Sequence, residues 1–302
     1  MPFRKMLVAL DGSEYSQRAA DYAFWLSNEL DADVTGQHVV DPRIIDLFIA
    51  PEFGEELGFS SQADTEEKVF RAVERIGKVI LDLFVKEAKS KGLEVETFLD
   101  VGHIIDEVVK RADNHDLLVI GHRGKGHRET PSNLIIGSVA ERIISLVKGP
   151  VFVAVNPPEQ IEQFLVAYDG SEASIGALLA AERMAIETRK KLQALTVVSD
   201  KKHRSEAEYT IEQSEPYLKN YGEKDVFLLK EGPHTETLVD YAKKSKSILV
   251  MGAYGFNKQE EQILGSTATN VIRSAATSVL VYKHNASKEL KEKSERVIAR
   301  SL

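Results

Sequence analysis

A glycine-rich stretch near the end of the chain has the residue types of an anion-binding loop. The stretch GAYGFNKQEEQILGST begins at Gly252 and places Gly255 and Gly265 before the pair Ser266 and Thr267. Glycine lets a backbone approach a ligand closely, and the segment TNVIRSAATS that follows reads as a helix start. The first N–H groups of a helix have no internal partners and favour an anion. We therefore predict that these five residues contact phosphate groups.

Two further residues complete a predicted nucleotide site. Asp169 follows a predicted strand, and its carboxylate can accept hydrogen bonds from a ribose hydroxyl or an exocyclic amine. Val197, near the end of another strand, can offer backbone groups to the edge of a base. Ligands of open parallel sheets bind at the carboxyl ends of strands where the strand order reverses. A strand order of 3-2-1-4-5 would bring Asp169 and Gly252 to one crevice.

The chemistry expected of such a site is binding rather than catalysis. The loop lacks the Gly-Lys-Ser/Thr ending of a P-loop, and G-x-S-x-G is absent from the chain. Without an obvious metal-binding carboxylate, the sequence does not support fast ATP hydrolysis, although the phosphates alone could recruit Mg²⁺. His122 and His127 have no companions at metal-ligand spacing, so we predict no metal site and no catalytic residue.

The elements that would position these residues occur twice. The stretch Asp11–Glu14, DGSE, recurs as Asp169–Glu172, and LLVIGHRG recurs as ILVMGAYG with its glycines in the same places. Gly137 and Ser138 then match the Gly-Ser pair at the end of the second loop. Because the order of the repeated pieces is kept, the chain is predicted to be a duplicated domain.

Each half alternates apolar strand patterns with helical ones. The strand patterns are MLVAL, DVTGQHVV, VETFLDV, LLVIG and VFVAV, then FLVAY, LQALTVV, DVFLLKEG, ILVMG and VLVY. Near-continuous Val, Leu and Ile are typical of buried parallel strands, and Ser13 is placed to cap the first helix. We predict two doubly wound five-stranded α/β domains, over residues 1–156 and 160–284, packed as a pseudo-twofold pair. A charged tail follows at 285–302.

The first-half loop departs from the second. Gly121 and Gly124 keep the two-residue gap, but twelve residues separate Gly124 from Gly137, where the second half has nine. The longer loop carries Arg123, Lys125 and Arg128, which leaves two interpretations open: a solvated loop, or basic side chains that reach phosphates. If this half binds a nucleotide, the matching contacts are Asp11, Val39, Gly121, Gly124, Gly137 and Ser138.

The spacing G-x2-G-x9-G-S, from Gly252 to Ser266, resembles the ATP-binding signature of the universal stress protein (UspA) family. The stretches LVALDGSE and LVAYDGSE resemble that family's opening strand and helix start, so the chain looks like a tandem pair of such domains. The resemblance implies the adenine nucleotide alpha-hydrolase-like α/β fold with strand order 3-2-1-4-5. It also implies ATP, or AMP or ADP, at the crevice, with adenine near Asp169 and Val197 and phosphates on the glycine loop.

Three functions follow as hypotheses. The first is an adenine-nucleotide-binding regulatory protein of the stress response. The second is a nucleotide-free scaffold of the same fold for dimerisation and partner docking, which the altered first-half loop favours. The third is an adenylyl-transferring enzyme, which would want an S-G-G-x-D-S or H-I-G-H element, and neither is present.

Composition limits the remaining classes. The 302 residues carry a formal net charge of −8, which argues against a nucleic-acid partner, and include no cysteine. No apolar run approaches the ~18 residues of a membrane span, and the N-terminus lacks a signal-peptide pattern, so a cytoplasmic protein is expected. The sequence leaves open a homodimer, an unidentified protein partner and the stress concerned.

Two features have competing interpretations. His103 and His234 occupy matching places after the third strand of each half, and either cap the next helix or approach the crevice. The segment Asp41–Asp64 crowds apolar residues among prolines and glycines, and either packs on the neighbouring domain or forms a lid or partner patch.

Overall fold

The computed structural model of the chain describes residues 3–43, 62–124, 137–218, 221–222, 225–253, 264–274 and 277–283, with the backbone alone for 62–65. Most of Asp41–Asp64, Gly255 and the tail predicted over 285–302 lie outside these ranges. The strands are β1 Lys5–Ala9, β2 Asp33–Val40, β3 Val95–Val101, β4 Leu117–Gly121, β5 Val151–Ala154, β6 Gln163–Ala167, β7 Lys191–Val198, β8 Phe227–Glu231, β9 Ser247–Gly252 and β10 Val279–Tyr282. The α-helices are α1 Glu14–Leu30, α2 Gln62–Ser90, α3 Ile104–Ala112, α4 Ser138–Leu146, α5 Glu172–Thr188, α6 Arg204–Ser214, α7 His234–Lys244 and α8 Ser266–Ser274.

All ten strands join one sheet in the order β3-β2-β1-β4-β5-β10-β9-β6-β7-β8. Read from its own first strand, each half has the order 3-2-1-4-5 with parallel neighbours, as predicted. The halves meet where β5 pairs antiparallel with β10, Phe152 opposite Leu280. This one antiparallel pairing relates the two halves by a pseudo-twofold axis and confirms the predicted pair of doubly wound domains.

The apolar runs of the strands supply both faces of the sheet. In β1, Met6 and Val8 belong to one core, and Leu7 between them belongs to the other. The first core includes buried residues of α1, α2 and α5, and the second includes those of α3, α4, α7 and α8. Each core contains residues from both halves, so the apolar interior is continuous across β5 and β10.

Polar contacts also cross between the halves. The ammonium of Lys283, just after β10, donates to the carbonyl oxygens of Ile144 and Val147 at the end of α4. A cation suits a helix C-terminus, although burial lowers the pKa of Lys283 to about 8. Arg273 of α8 pairs with Glu141 of α4 at 2.6 Å. No described helix is both long enough and apolar enough to cross a membrane.

Candidate functional site

A cavity of about 280 Å³ opens at the carboxyl ends of β6, β7 and β9, beside the N-terminus of α8. This is the switch point of the second half, because β6 neighbours both β7 and β9 in the sheet. The lining residues are Ala167, Tyr168, Asp169, Ser171, Ser174, Leu195, Val197, His234, Leu238, Met251, Gly252, Ala253, Gly265, Ser266, Thr267 and Ala268. Six of the seven residues predicted for this half are among them, and Gly255 is outside the described residues.

Asp169 is held by the turn that starts α5. The backbone N–H and the hydroxyl of Ser171 both donate to Asp169 Oδ1, at 3.0 and 2.6 Å. Gly170 between them has φ +79°, a conformation that favours glycine. Ser171 Oγ then accepts from Ser174 N at 3.2 Å and caps the helix. Among the described residues no donor reaches Asp169 Oδ2, and Asp169 lines the cavity.

The same turn starts α1 in the first half. Ser13 N donates to Asp11 Oδ1 at 2.9 Å, and Gly12 has φ +75°. Ser13 Oγ accepts from Ser16 N at 3.1 Å, which confirms Ser13 as the cap of α1. The repeated DGSE sequence is therefore a device for starting a helix at a strand end. This local role exists whether or not the aspartate also meets a ligand.

Another part of the cavity lining is built from backbone N–H groups. Gly265 N donates to the carbonyl of Ala253 at 2.9 Å, which closes the glycine loop. The helical ladder of α8 starts where Thr269 N donates to Gly265 O at 2.9 Å. The N–H groups of the three residues between, Ser266, Thr267 and Ala268, consequently have no acceptor within the helix. All three residues line the cavity, where the helix dipole favours an anion.

Gly252 has a packing role that the sequence pattern did not reveal. A Cβ added there would lie 2.7 Å from the backbone carbon of Ala173, in the first turn of α5. Gly121 stands in the same relation to Tyr15 in α1, at 2.6 Å. Glycine at these strand ends lets the first helix of each half pack tightly on the fourth strand.

Apolar residues also line the cavity. Leu195, Val197 and Met251 are buried in the core on this side of the sheet. Tyr168, just after β6, also lines the cavity, but its side chain belongs to the other core. Its hydroxyl bonds to Ser214 of α6, and burial raises the pKa of Tyr168. Sequence reasoning missed all but Val197, yet a signal existed, since Leu195 lies two residues before Val197 on the same face of β7.

The glycine loop of the first half is longer than that of the second, but the hydrogen bonds at its two ends are the same. Gly137 N donates to the carbonyl of His122 at 3.1 Å, and Glu141 N donates to Gly137 O at 3.0 Å. Ser138, the first residue of α4, thus begins a turn of N–H groups like that of α8. The structure brings Asp11 to this loop, because a Cβ on Gly124 would lie 2.8 Å from Asp11 Oδ2.

The other predicted first-half residues lie on strands or outside the described residues. Val39 is buried on β2, and Gly121 ends β4. Lys125, His127 and Arg128 fall in the part of the loop that is not described.

The two histidines that follow the third strands differ. His103 is the N-cap residue of α3 but makes no capping hydrogen bond, and its Nδ1 lies 3.3 Å from Asp106 Oδ2. His234 is the first residue of α7, behind Pro233 as N-cap, and lines the cavity. The crevice interpretation therefore holds for His234. Within the described ranges, no three His, Asp or Glu side chains are grouped so that they could hold a metal ion.

Comparison with models of known protein families assigns the chain to a family. The model of the universal stress protein family matches residues 2–154 and again residues 160–283. The chain belongs to the universal stress protein family. It is a tandem member, with both matches inside one ten-stranded sheet.

Relatives and solved structures agree with this membership. The chain is 24% identical over 289 residues to universal stress protein Slr1230 of Synechocystis, covering 93% of this chain and all of the relative. It is 29% identical over 160 residues to universal stress protein MJ0531 of Methanocaldococcus jannaschii, covering 52% of this chain and 85% of that protein. A universal stress protein from Archaeoglobus fulgidus superimposes with a TM-score of 0.70 at 20% identity, over 92% of this chain and 98% of that one. The last comparison supports the fold alone.

Proposed function

We propose that this universal stress protein binds ATP, or a related adenine nucleotide, in the cavity of its second half and acts as a regulator in the stress response. One observation carries the proposal. The N–H groups of Ser266, Thr267 and Ala268 lack helical acceptors, and these three residues line the same cavity as Asp169. Such a helix N-terminus suits phosphates, and a strand-end carboxylate suits ribose hydroxyls.

The rest of the cavity fits the base. Leu195, Val197 and Met251 offer apolar contacts to an adenine ring, and the backbone of Val197 would bond to its edge. The described lining encloses about 280 Å³, near the lower end of the ~300–1,000 Å³ of small-molecule pockets. The phosphates would hold Mg²⁺ if it is present, since the described residues include no group of three His, Asp or Glu side chains that could hold it alone.

The proposed role is regulation through occupancy, with at most slow ATP hydrolysis. A bound nucleotide shifts the protein between states only to the extent that it binds one of them better. The first turn of α8, from Ser266 to Ala268, is the described part of the site that a phosphate would contact. A cytoplasmic location, where adenine nucleotides are available, belongs to the same proposal.

Ser266→Glu is the sharpest test, because it separates binding from folding. An acidic side chain in the first turn of α8 suits the helix dipole, so the fold should be kept. The same carboxylate competes with a phosphate for the free N–H groups and repels it. We expect isothermal titration calorimetry to show ATP affinity reduced at least about tenfold, or 1.4 kcal/mol, with adenosine affected less.

Ser138→Glu is the matched control at the first residue of α4. If only the second half binds, this variant keeps the wild-type affinity and stoichiometry. If both halves bind, each variant removes one of two sites. Wild-type protein that binds no adenine nucleotide, or a Ser266→Glu variant that binds ATP as well as wild type does, would refute the proposal and favour the nucleotide-free scaffold.

A further inference from the structure

The outer face of α2 exposes large apolar side chains that the fold does not use. Ile76, Val79 and Leu83 are 53%, 51% and 59% exposed. The opposite face of the helix packs on the sheet through buried residues such as Leu81 and Phe84. Burying apolar side chains of this size against a partner is favourable, so a contiguous row of them is a candidate interaction surface.

The spacing of this row specifies what kind of partner fits it. Its members follow one another at intervals of three, four, three and four residues: Val69, Ala72, Ile76, Val79 and Leu83. We call these five residues the α2 seam. Alternating intervals of three and four are the a/d pattern of a coiled coil, in which each side chain enters a hole on a facing helix with the same pattern. The fitting partner is therefore another helix.

Two charged residues beside the seam indicate that this helix is α2 of a second copy. Arg75 and Asp82 lie on the same side of the seam, seven residues apart, and both are exposed. Neither has an ion-pair partner among the described residues. Other charges of α2 do pair within the helix, as Lys78 does with Glu74 at 2.6 Å.

An antiparallel pairing of two α2 helices satisfies both features at once. Ile76 of one copy then faces Val79 of the other, and Arg75 faces Asp82 in two symmetric ion pairs. A parallel pairing would instead set Arg75 against the half-buried Ile80. The central pair of charges, Arg75 and Asp82, is thus complementary to itself in one orientation.

We propose that the α2 seam joins two copies of this chain as an antiparallel helix pair. The contact is independent of nucleotide binding. A single helix pair is smaller than the ~1,200–2,000 Å² of stable interfaces, so the dimer should depend on protein concentration. Lys68 and Lys89 lie beside the seam, each seven residues farther out than Arg75 and Asp82. In the antiparallel pair they would face each other with like charge, so the favourable ion pairs lie only at the centre of the seam.

Sedimentation velocity on the full chain, from about 1 to 300 µM, tests the proposal. Wild type should shift from monomer to dimer over this range. Arg75→Asp and Asp82→Arg should each weaken the dimer about tenfold or more, because each creates two like-charge contacts. The double variant Arg75→Asp/Asp82→Arg should restore it, and an equimolar mixture of the two single variants should form heterodimers.

Leu83→Lys should abolish dimerisation, and Ile186→Lys is its matched control. Ile186 is an equally exposed apolar residue, at 51%, on α5 and outside the seam. Circular dichroism should show that all variants keep the fold. A wild-type chain that stays monomeric at the highest concentration overturns the proposal. So does a dimer that survives Leu83→Lys, or a double charge variant that is no stronger than the single ones.

Discussion

His122, in the first half of the chain, places its Nε2 atom 3.1 Å from the carbonyl oxygen of Ile272 in the second half. A carbonyl only accepts, so Nε2 carries the proton in this contact. His122 is 1% exposed and immediately follows β4, where the first glycine loop begins. Ile272 lies in α8, the helix whose first turn lines the cavity. The corresponding residue of the second half is Ala253, so this link exists in one direction only.

We predict that His122→Ala lowers the free energy of unfolding by about 1–3 kcal/mol, the cost of leaving a buried group without its hydrogen bond. Urea denaturation followed by circular dichroism measures it. His115→Ala is the control, because His115 Nδ1 contacts the Arg111 carbonyl within one half and is only half-buried. If both variants lower the free energy of unfolding equally, the contact between His122 and Ile272 contributes no more to stability than a contact within one half.

Gly252→Ala should destabilise the protein through the packing of α5, in the presence or absence of nucleotide. The added methyl would lie 2.7 Å from the backbone of Ala173, and overpacking of this kind costs about 1–3 kcal/mol. Gly121→Ala should behave alike against Tyr15. At Gly149 an added Cβ meets nothing within 4 Å, so Gly149→Ala is the control in urea denaturation. A Gly252→Ala variant as stable as Gly149→Ala would contradict this account.

The fold was predictable because its signals are local and repeated. All ten apolar runs became strands, and the repeated DGSE sequences became helix starts, since a strand buried on both faces and a capped helix leave a direct mark on residue types. The join between the halves was less predictable. No feature of the sequences VFVAV and VLVY predicts that these two strands pair antiparallel, with Phe152 opposite Leu280.

The lining of the cavity was predictable where backbone chemistry requires glycine or a helix start, and at two residues near strand ends, Asp169 and Val197. Leu195 and Met251 line the cavity, yet as apolar strand residues they look like any other core residue. Gly252 shows the converse difficulty, because one glycine serves helix packing and lies in the predicted binding loop. Contacts between halves, such as that of Lys283 with Ile144, depend on tertiary geometry that no local pattern encodes.

His234→Ala should weaken ATP binding without loss of stability, on the basis of the proposed site. His234 is exposed at the first residue of α7 and lines the cavity, where its ring can donate a hydrogen bond to a nucleotide oxygen. Removing one such bond should reduce affinity about 2–12-fold, or 0.5–1.5 kcal/mol. His103→Ala, at the matching place of the first half, is the control in calorimetry. Equal effects of both variants would argue against a role for His234.

Asp21→Asn should stabilise the protein at neutral pH. Burial, followed by the neighbouring carboxyl of Glu87, raises the pKa of Asp21 from 3.8 to about 6, although Lys91 lies 3.7 Å away and acts in the opposite direction. Between those values the folded state binds the proton more tightly than the unfolded state. The free energy of unfolding therefore falls as pH rises through this window, and the penalty is complete above about 6.

The amide of the variant carries no charge and avoids this penalty. In urea denaturation, the free energy of unfolding of the variant should exceed that of wild type most at pH 7.5. This difference should shrink as the pH falls towards 4.5, with a midpoint within about one pH unit of the pKa of Asp21. Glu87→Gln removes the neighbouring carboxyl and should change the pH dependence in the same direction by a smaller amount, because burial is the larger cause. An Asp21→Asn variant whose stability runs parallel to that of wild type across this range would show that Asp21 ionises alike in both states.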